Sequence, residues 1–166
     1  MSDTTVPWTV EPMRVGDVRD VCRLLREADT SLGVELTAES IQRRRIRQWV
    51  LGPKPVMHVA LARDDRGTTA GFATYCFLWP SEGHLALCVK ILFVSSGHRR
   101  RGAGSALMRA LHAEAAAHEC TRVEWFALSD DAVGRAFCAS LGARLHEGRI
   151  CYTLPSTSDP LTPWLH

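Results

Sequence analysis

The chain has 166 residues, of which 46% are hydrophobic and 23% are charged, and this length and composition are typical of one globular domain with its own core. The formal net charge of +2 is too small by itself to indicate a nucleic-acid-binding protein. No apolar run is long enough to cross a bilayer, and residues 1–7 lack the basic-then-apolar order of a signal peptide. We therefore expect a cytoplasmic protein without a membrane partner, in which residues 1–7 are disordered.

The six cysteines and seven histidines are scattered along the chain. No two cysteines form a C-x-x-C pair, and no spacing of His and Cys matches a zinc motif. The sequence therefore predicts free thiols in a reducing compartment, with no disulfide framework and no metal site.

In the N-terminal half of the chain, the sequence predicts one strand, two helices and a hairpin. Apolar residues at helical spacing indicate the helices, with Asp17 and Thr37 as their N-caps. A turn at 64–67 separates the two strands of the hairpin. In order, the predicted elements are a strand over Trp8–Met13, helices over Val18–Ala28 and from Thr37 to Val50, and strands over Val56–Arg63 and Thr69–Trp79.

The C-terminal half begins with a strand over His84–Val94 that is almost wholly apolar, although Lys90 interrupts it. We expect this strand to be central and buried on both faces, and the next strand to lie parallel to it. The remaining predicted elements are a helix over Ser105–Glu119, a strand over Arg122–Leu128, a helix that starts within 129–131, strands over Ala143–His146 and Arg149–Leu154 that complete a single domain over 8–154, and an irregular tail over 155–166.

A basic loop that contains glycines joins the strand ending at Val94 to the helix that follows it. The first N–H groups of a helix lack intrahelical partners and carry partial positive charge, so they can bind an anion. Glycines let a large anion approach the backbone, and arginines add charge and a planar fork for phosphate oxygens. These properties predict a phosphate site built from Arg99, Arg100, Arg101, Gly102 and Gly104.

The spacing within this loop excludes two common phosphate motifs. A Walker A loop requires Lys and a hydroxyl residue where Ala103 and Gly104 stand, and a dinucleotide fingerprint requires a third glycine where Leu107 stands. The remaining pattern, Arg99-x-x-Gly102-x-Gly104, resembles the coenzyme A loop of GNAT-superfamily N-acetyltransferases. Without that resemblance, the alternatives are a basic loop that caps a helix or a nucleic-acid patch.

The resemblance extends over nearly the whole chain, because the predicted order of elements is that of the GNAT fold. The segments 92–94 and 120–125 and the ending Leu141-Gly142-Ala143 are most similar to the branch that contains diamine and thialysine acetyltransferases. The resemblance implies an α/β (α+β) GNAT fold, with helices on both faces of a mixed central sheet of about six to seven strands, a usual size for a sheet. It also implies a splay between the strand ending at Val94 and the strand Val123–Leu128.

The activity implied by the resemblance is transfer of an acetyl group from acetyl-CoA to a primary amine of a small molecule, by direct attack in a ternary complex and without a metal. Coenzyme A is then the product, nucleic acid is not a partner, and a homodimer is possible because related enzymes are commonly dimers. The cofactor-binding residues that the resemblance implies are Phe93, Val94, Arg99, Arg100, Arg101, Gly102, Ala103, Gly104, Ser105 and Asp131.

The resemblance also implies catalytic positions, and one of them departs from the family pattern. In the family, a bulge in the strand before the loop frees a backbone N–H to polarise the thioester carbonyl, and by position the resemblance assigns this N–H to Val94, or to its neighbour Phe93. Cys138 stands where the family has a Tyr that protonates the departing thiolate, and a cysteine thiol is able to donate a proton. The alternatives are that Tyr152 or Ser140 is the acid, or that Cys138 only packs in its helix face.

Lys90 is a second departure, because diamine acetyltransferases carry Glu at this position. A cation there repels a polyamine, unless the Lys side chain pairs with Asp130 or Asp131 or extends to the strand edge. A general base must accept a proton from the amine, directly or through water. The candidates that remain for this role are Glu82 and His84 at the start of the same strand, and Glu35 in the loop between the first two helices.

Other classes of function remain open at this point. A non-catalytic acyl-CoA-binding protein would keep the loop and lose the acid and the base, and an acetyltransferase could act on protein or peptide amines instead. The arginines within 43–47 form either a solvated basic face or a contact for the adenosine phosphate of coenzyme A or an acidic partner. Nucleic-acid binding through these residues and Arg99–Arg101 predicts a steep salt dependence.

Overall fold

The structure is a computed structural model, and it describes residues 8–79, 84–127 and 130–146. The chain divides into two compact units, residues 1–127 and 128–166. The predicted turn at 80–83, the predicted strand over Arg149–Leu154 and the predicted tail lie outside the described residues. No helix within the described ranges is long and apolar enough to cross a membrane.

The first unit contains strands and helices in the predicted order. Short 3₁₀ turns precede the first and third helices, at Val15–Asp17 and Ser96–His98. In the described part of this unit the strands are β1 (Thr9–Pro12), β2 (His58–Arg63), β3 (Thr69–Leu78), β4 (Ala86–Val94) and β5 (Arg122–Trp125), and the α-helices are α1 (Val18–Ser31), α2 (Glu39–Trp49) and α3 (Ala103–Ala117).

The five strands form one mixed sheet in the order β1-β2-β3-β4-β5. Neighbouring strands are antiparallel except for β4 and β5, which are parallel as expected for strands joined by a crossover helix. This arrangement confirms the GNAT fold and its mixed sheet, although the described residues form five strands rather than six to seven.

Helices cover both faces of the sheet. On one face, Phe72 of β3 and Phe93 of β4 lie directly opposite each other and pack in one cluster with the apolar stripe of α1. Tyr75 lies three residues after Phe72 and therefore points to the other face, where its hydroxyl lies 3.5 Å from Oε1 of Glu114 on α3. Burial first, and the Glu114 carboxylate second, raise the pKa of Tyr75 to about 12. The sheet is thus enclosed between α1 and α3.

Three predicted helix starts need correction or refinement. Ala38, not Thr37, is the N-cap of α2, and α3 begins at Ala103, two residues before the predicted start, because Gly102 is its N-cap. Asp17 occupies the predicted N-cap position of α1 but makes no side-chain capping bond to it. Its carboxylate instead accepts from the N–H of Arg14 at 2.8 Å and pairs with Arg63 at 2.5 Å.

The second unit contains α4 (Ala132–Ser140) among its described residues. Gly142 follows the helix with φ +74, which is the left-handed conformation common at helix C-termini. The predicted strand over Ala143–His146 is wrong, because residues 143–146 have irregular backbone. A strand is stabilised by a partner, and no strand of this unit is found among its described residues to pair with this segment.

Candidate functional site

An opening separates the C-terminal part of β4 from β5. The parallel ladder between the two strands runs from Ala86 opposite Arg122 to Val89 opposite Trp125 and stops there, while β4 continues to Val94. The opening therefore begins at Lys90 and ends at Val94. This geometry confirms the predicted splay.

A β-bulge lies at the closed end of this opening. On the β3 side, Tyr75 pairs with Val89 and Thr74 pairs with Ile91, so Lys90 is the extra residue. Lys90 and Ile91 are exposed, whereas Val89 is buried. The expectation that the whole of this strand is buried on both faces is thus wrong after Val89, because β5 no longer covers it.

The backbone N–H of Val94 points into the opening. The N–H of the next residue, Ser95, donates to the carbonyl oxygen of Ala70 at the start of β3, at 2.9 Å. Successive residues of a strand direct their N–H groups to opposite sides, so Val94 faces away from β3 and Phe93 faces toward it. Of the two predicted positions for the polarising amide, Val94 is the one whose N–H is directed into the opening. The bulge that the resemblance associates with this amide lies at Lys90, four residues earlier, so the assignment to Val94 stays a prediction.

Arg99 is held at the end of β4 by two contacts. Its Nε donates to the carbonyl oxygen of Val94 at 2.9 Å, and its guanidinium carbon lies 5.6 Å from the ring centroid of Phe93. The carbonyl of Val94 is therefore satisfied while its amide remains directed into the opening. Phe93 is 8% exposed and belongs to the core, so its side chain supports Arg99 rather than lining an open site.

The predicted phosphate loop ends at the N-terminus of α3, where the first backbone amides can bind an anion. Arg100 and Gly102 have φ of +61 and +89, and Gly102 is the N-cap of α3. The first bond of the helical ladder is donated by the N–H of Ala106 to the carbonyl of Gly102 at 2.9 Å. The preceding amides, those of Ala103, Gly104 and Ser105, stand before the ladder and are the groups that an anion can satisfy.

The side chains in this loop contribute differently. Ala103 is 1% exposed, so the residue offers its amide while its methyl group packs inside. Arg100 and Arg101 are exposed and can place guanidinium groups on a bound phosphate. The donors present, backbone amides and two arginines, are chemically suited to a pyrophosphate.

Glu27 of α1 holds the start of this loop. The sequence analysis did not predict this contact. Its Oε1 accepts from the hydroxyl of Ser95 at 2.9 Å and from the N–H of Ser96 at 3.0 Å. Partial burial raises the pKa of the Glu27 carboxyl, but the hydrogen bonds from Ser96 and Ser95, with nearby Arg23, outweigh burial and lower it overall. The nearest signal in the sequence is Arg23, four residues earlier on the same helix, and it does not indicate a contact with the loop.

Trp8 fixes the end of the loop and was also missed. Its indole Nε1 donates to the carbonyl oxygen of Arg101 at 2.6 Å, and a Cβ atom built on Gly102 would lie 3.7 Å from the indole ring. The two residues are 93 positions apart in the chain, and no local pattern in the sequence links them. Trp8 and Glu27 thus hold opposite ends of the same loop.

Lys90 contributes the charge at the closed end of the opening. Its Nζ lies 5.5 Å from the ring centroid of Phe126, which is the first residue after β5 and is 69% exposed. The contact therefore crosses the opening from β4 to the residue that follows β5. An exposed cation–π contact of this kind contributes about 0.5–1 kcal/mol.

Among the described catalytic candidates of the first unit, His84 lies far from Val94. His84 is exposed and precedes β4, so it stands at the opposite end of that strand, about 30 Å from Val94 at the usual strand rise. It is therefore poorly placed as the general base. Glu35 is exposed in the loop between α1 and α2, and Glu82 and Tyr152 lie outside the described residues.

The candidates on α4 belong to the second unit. Asp131 is the N-cap of this helix, and its carboxylate accepts from the N–H of Gly134 at 2.9 Å. Ser140 donates its hydroxyl proton to the carbonyl oxygen of Phe137 at 2.6 Å, which leaves it less suited to act as an acid. Cys138 is partly exposed on the same helix, and its assigned role stays a prediction.

A comparison with protein families gives the affiliation of the chain. Residues 19–143 match the family model described as acetyltransferase (GNAT) family. The chain belongs to the GNAT acetyltransferase family. Its place in the diamine and thialysine branch stays a prediction, and no curated protein matches the chain.

Solved structures of other proteins share this fold. An integron cassette protein from the mobile metagenome of V. cholerae is 26% identical, with a TM-score of 0.77 over 88% of this chain and 91% of that protein. A probable acetyltransferase is 16% identical, with a TM-score of 0.79 over 90% and 98% of the two chains. An aminoglycoside N-acetyltransferase in complex with CoA is 13% identical, with a TM-score of 0.74 over 92% and 98%. The last two show likeness of fold alone.

Proposed function

We propose that this GNAT chain is an acetyl-CoA-dependent N-acetyltransferase that transfers the acetyl group to a primary amine of a small molecule, by direct attack in a ternary complex. The observation that carries the proposal is the geometry at the end of β4. There the Val94 amide points into the opening beside β5, and the amides at the start of α3 follow within the same loop.

Coenzyme A would be held mainly by backbone groups. The amides of Ala103, Gly104 and Ser105 would donate to the pyrophosphate, and Arg100 and Arg101 would balance its charge. Acetyl-CoA supplies the acyl thioester whose carbonyl the protein must polarise.

Val94 would act on the reacting carbonyl. When the amine nitrogen attacks, its new bond to carbon places negative charge on the carbonyl oxygen, and the Val94 N–H is directed to stabilise that charge. The C–S bond then breaks and the thiolate accepts a proton. We propose Cys138 as the donor of this proton, with Tyr152 as the alternative. The proton lost by the amine goes to solvent or to a carboxylate such as Glu82 or Glu35.

The direct test is thiol release from acetyl-CoA in the presence of a panel of primary amines. The panel should include polyamines, amino acids, aminoglycosides and short peptides, and each reaction should be compared with acetyl-CoA alone. Amine-dependent thiol release, with mass spectrometry showing an acetylated amine, supports the proposal. Release that is independent of amine indicates hydrolysis instead.

A second candidate is an acyl-CoA-binding protein without transferase activity. It is favoured by the exposed Lys90 at the bulge, where the resemblance implies Glu, and by Cys138 in place of Tyr. This candidate predicts stoichiometric binding of acetyl-CoA by calorimetry and no thiol release with any amine. A peptide as the sole acetylated acceptor would indicate an enzyme of protein amines, and light scattering would decide whether the protein is a homodimer.

A further inference from the structure

We infer that Lys90 makes this enzyme selective for acceptor amines that also carry a carboxylate, as amino acids do, over amines of the same skeleton without one. The inference rests on the proposed function and names the substrate class of the same site. Its basis is the position of the Lys90 ammonium between the two diverging strands.

Lys90 and Val94 stand at the two ends of the opening. Lys90 is the bulged residue at which the ladder between β4 and β5 ends, and Val94 lies four residues further along β4. At the usual rise of a strand these two positions are about 13 Å apart. The Lys90 side chain reaches across the opening to the ring of Phe126, so its ammonium stands at the closed end of the same opening into which the Val94 amide is directed.

The neighbouring carboxylates are engaged elsewhere. Glu124 of β5 lies 2.9 Å from Arg122, and Glu27 is held by the hydroxyl and amide at the start of the loop. By contrast, Lys90 contacts the ring of Phe126 and makes no ion pair within the described part of the first unit. Among those residues no carboxylate faces its ammonium, and a carboxylate on the acceptor would do so.

The Phe126 contact leaves the Lys90 ammonium able to bind a further group. The ring covers one side of the ammonium, and an ammonium has three N–H donors, so donors remain for an acceptor carboxylate. Lys90 and Phe126 are both exposed, so an acceptor can reach the ammonium without displacing core residues. A diamine would instead bring a second cation to the same point, where like charges repel.

The test compares amino acids with their decarboxylation products. Lysine and cadaverine form one matched pair of acceptors, and phenylalanine and phenethylamine form another. For each pair, kcat/KM at saturating acetyl-CoA is measured for wild type and for Lys90→Met, which keeps the length but not the charge. Lys90→Glu reverses the charge, and Lys54→Met, which removes an exposed lysine between α2 and β2, is the control.

In wild type and Lys54→Met we expect the amino acid to be preferred by about two- to fivefold, the range of one exposed charge interaction. The preference should fall to about one in Lys90→Met and reverse in Lys90→Glu, with the KM for acetyl-CoA unchanged within about twofold. Circular dichroism and the melting temperature would verify that each variant is folded. Because Lys90 is exposed, we expect its substitution to leave both unchanged. A ratio that is the same in all four proteins, or a wild-type preference for the decarboxylated amines, would overturn the inference.

Failure of the proposed function is distinguishable from failure of this inference. If no amine is acetylated, the proposed function is overturned, and the selectivity is then read by equilibrium dialysis of labelled lysine and labelled cadaverine against the protein saturated with coenzyme A. Tighter retention of lysine that is lost in Lys90→Met supports the selectivity, and equal retention of the two compounds overturns it.

Discussion

Arg99 and Val94 are joined by a hydrogen bond from the guanidinium Nε to the carbonyl oxygen, at 2.9 Å. The carbonyl of Val94 accepts this bond on the side of β4 where β5 has already ended. The N–H of Val94 points to the same side. The role of this arginine in the phosphate loop is therefore partly structural. Arg99 stabilises the end of the strand, while Arg100 and Arg101 remain exposed for an anion.

Gly102→Asp should abolish measurable binding of acetyl-CoA. Gly102 has φ +89, which costs a non-glycine residue roughly 1–2 kcal/mol, and the new carboxylate would stand at the N-cap where the pyrophosphate is expected. Calorimetric titration with acetyl-CoA measures the effect. The control is Gly33→Asp, which introduces the same charge and comparable strain at φ +66 in the loop after α1, with no atom within 4 Å of the added Cβ. Equal affinities in the two folded variants would disprove the loop assignment.

Trp8→Phe should weaken acetyl-CoA binding by several-fold. The substitution keeps an aromatic ring beside Gly102 but removes the indole N–H that donates to the Arg101 carbonyl, and the net value of such a bond is about 1 kcal/mol. Titration of acetyl-CoA with each variant is the measurement. Trp49→Phe, at an exposed position at the end of α2, is the matched control, and an effect equal to that of Trp49→Phe would contradict the role given to Trp8.

Glu27→Gln should reduce the free energy of unfolding by about 1 kcal/mol at neutral pH, because hydrogen bonds to an ionised acceptor are stronger than those to a neutral one. Since folding lowers the pKa of Glu27 below its ordinary value of 4.5, the contribution of the charge is present above that value and is lost as the pH falls through the folded pKa.

Urea unfolding of wild type and Glu27→Gln between pH 7 and pH 3.5 would measure this dependence. The difference between the two proteins should be constant above about pH 5 and shrink below it. A difference that persists unchanged at the acidic end would show that the Glu27 charge does not hold the loop.

Cys138→Ala should lower kcat by about tenfold or more while the KM for acetyl-CoA stays unchanged, if the thiol protonates the departing thiolate. The measurement is steady-state kinetics with the best amine of the panel. Cys120→Ala, between α3 and β5, is the control, since burial raises the pKa of the Cys120 thiol and no catalytic role is assigned to it. Turnover close to wild type in Cys138→Ala would mean that the side chain only packs in α4.

The elements that could be predicted from the sequence are those with a local cause. Helical spacing in α1 and the apolar run of β4 depend on residues close together in the chain, and the phosphate loop depends on glycine and arginine at fixed spacing. Thr37 was misassigned as a cap because Ser and Thr favour that position on average, while at this site Ala38 has the non-helical backbone that precedes α2.

The parts that could not be predicted depend on contacts between distant segments. The bond from Trp8 to Arg101 and the bonds from Ser95 and Ser96 to Glu27 join residues about 70 to 90 positions apart, and neither has a periodic signal. The burial of β4 was overestimated because an apolar run does not show where a neighbouring strand ends, and here β5 ends opposite Val89. Lys90 lies where the ladder between β4 and β5 ends because of the register of β4 with its two neighbouring strands.

The most direct measurement of the central claim is thiol release from acetyl-CoA across the amine panel, with wild type and Gly102→Asp assayed side by side. We expect amine-dependent release by wild type, an acetylated amine detected by mass spectrometry, and no release by Gly102→Asp. The claim would be contradicted if wild type bound acetyl-CoA but released no thiol with any amine, or if Gly102→Asp were as active as wild type.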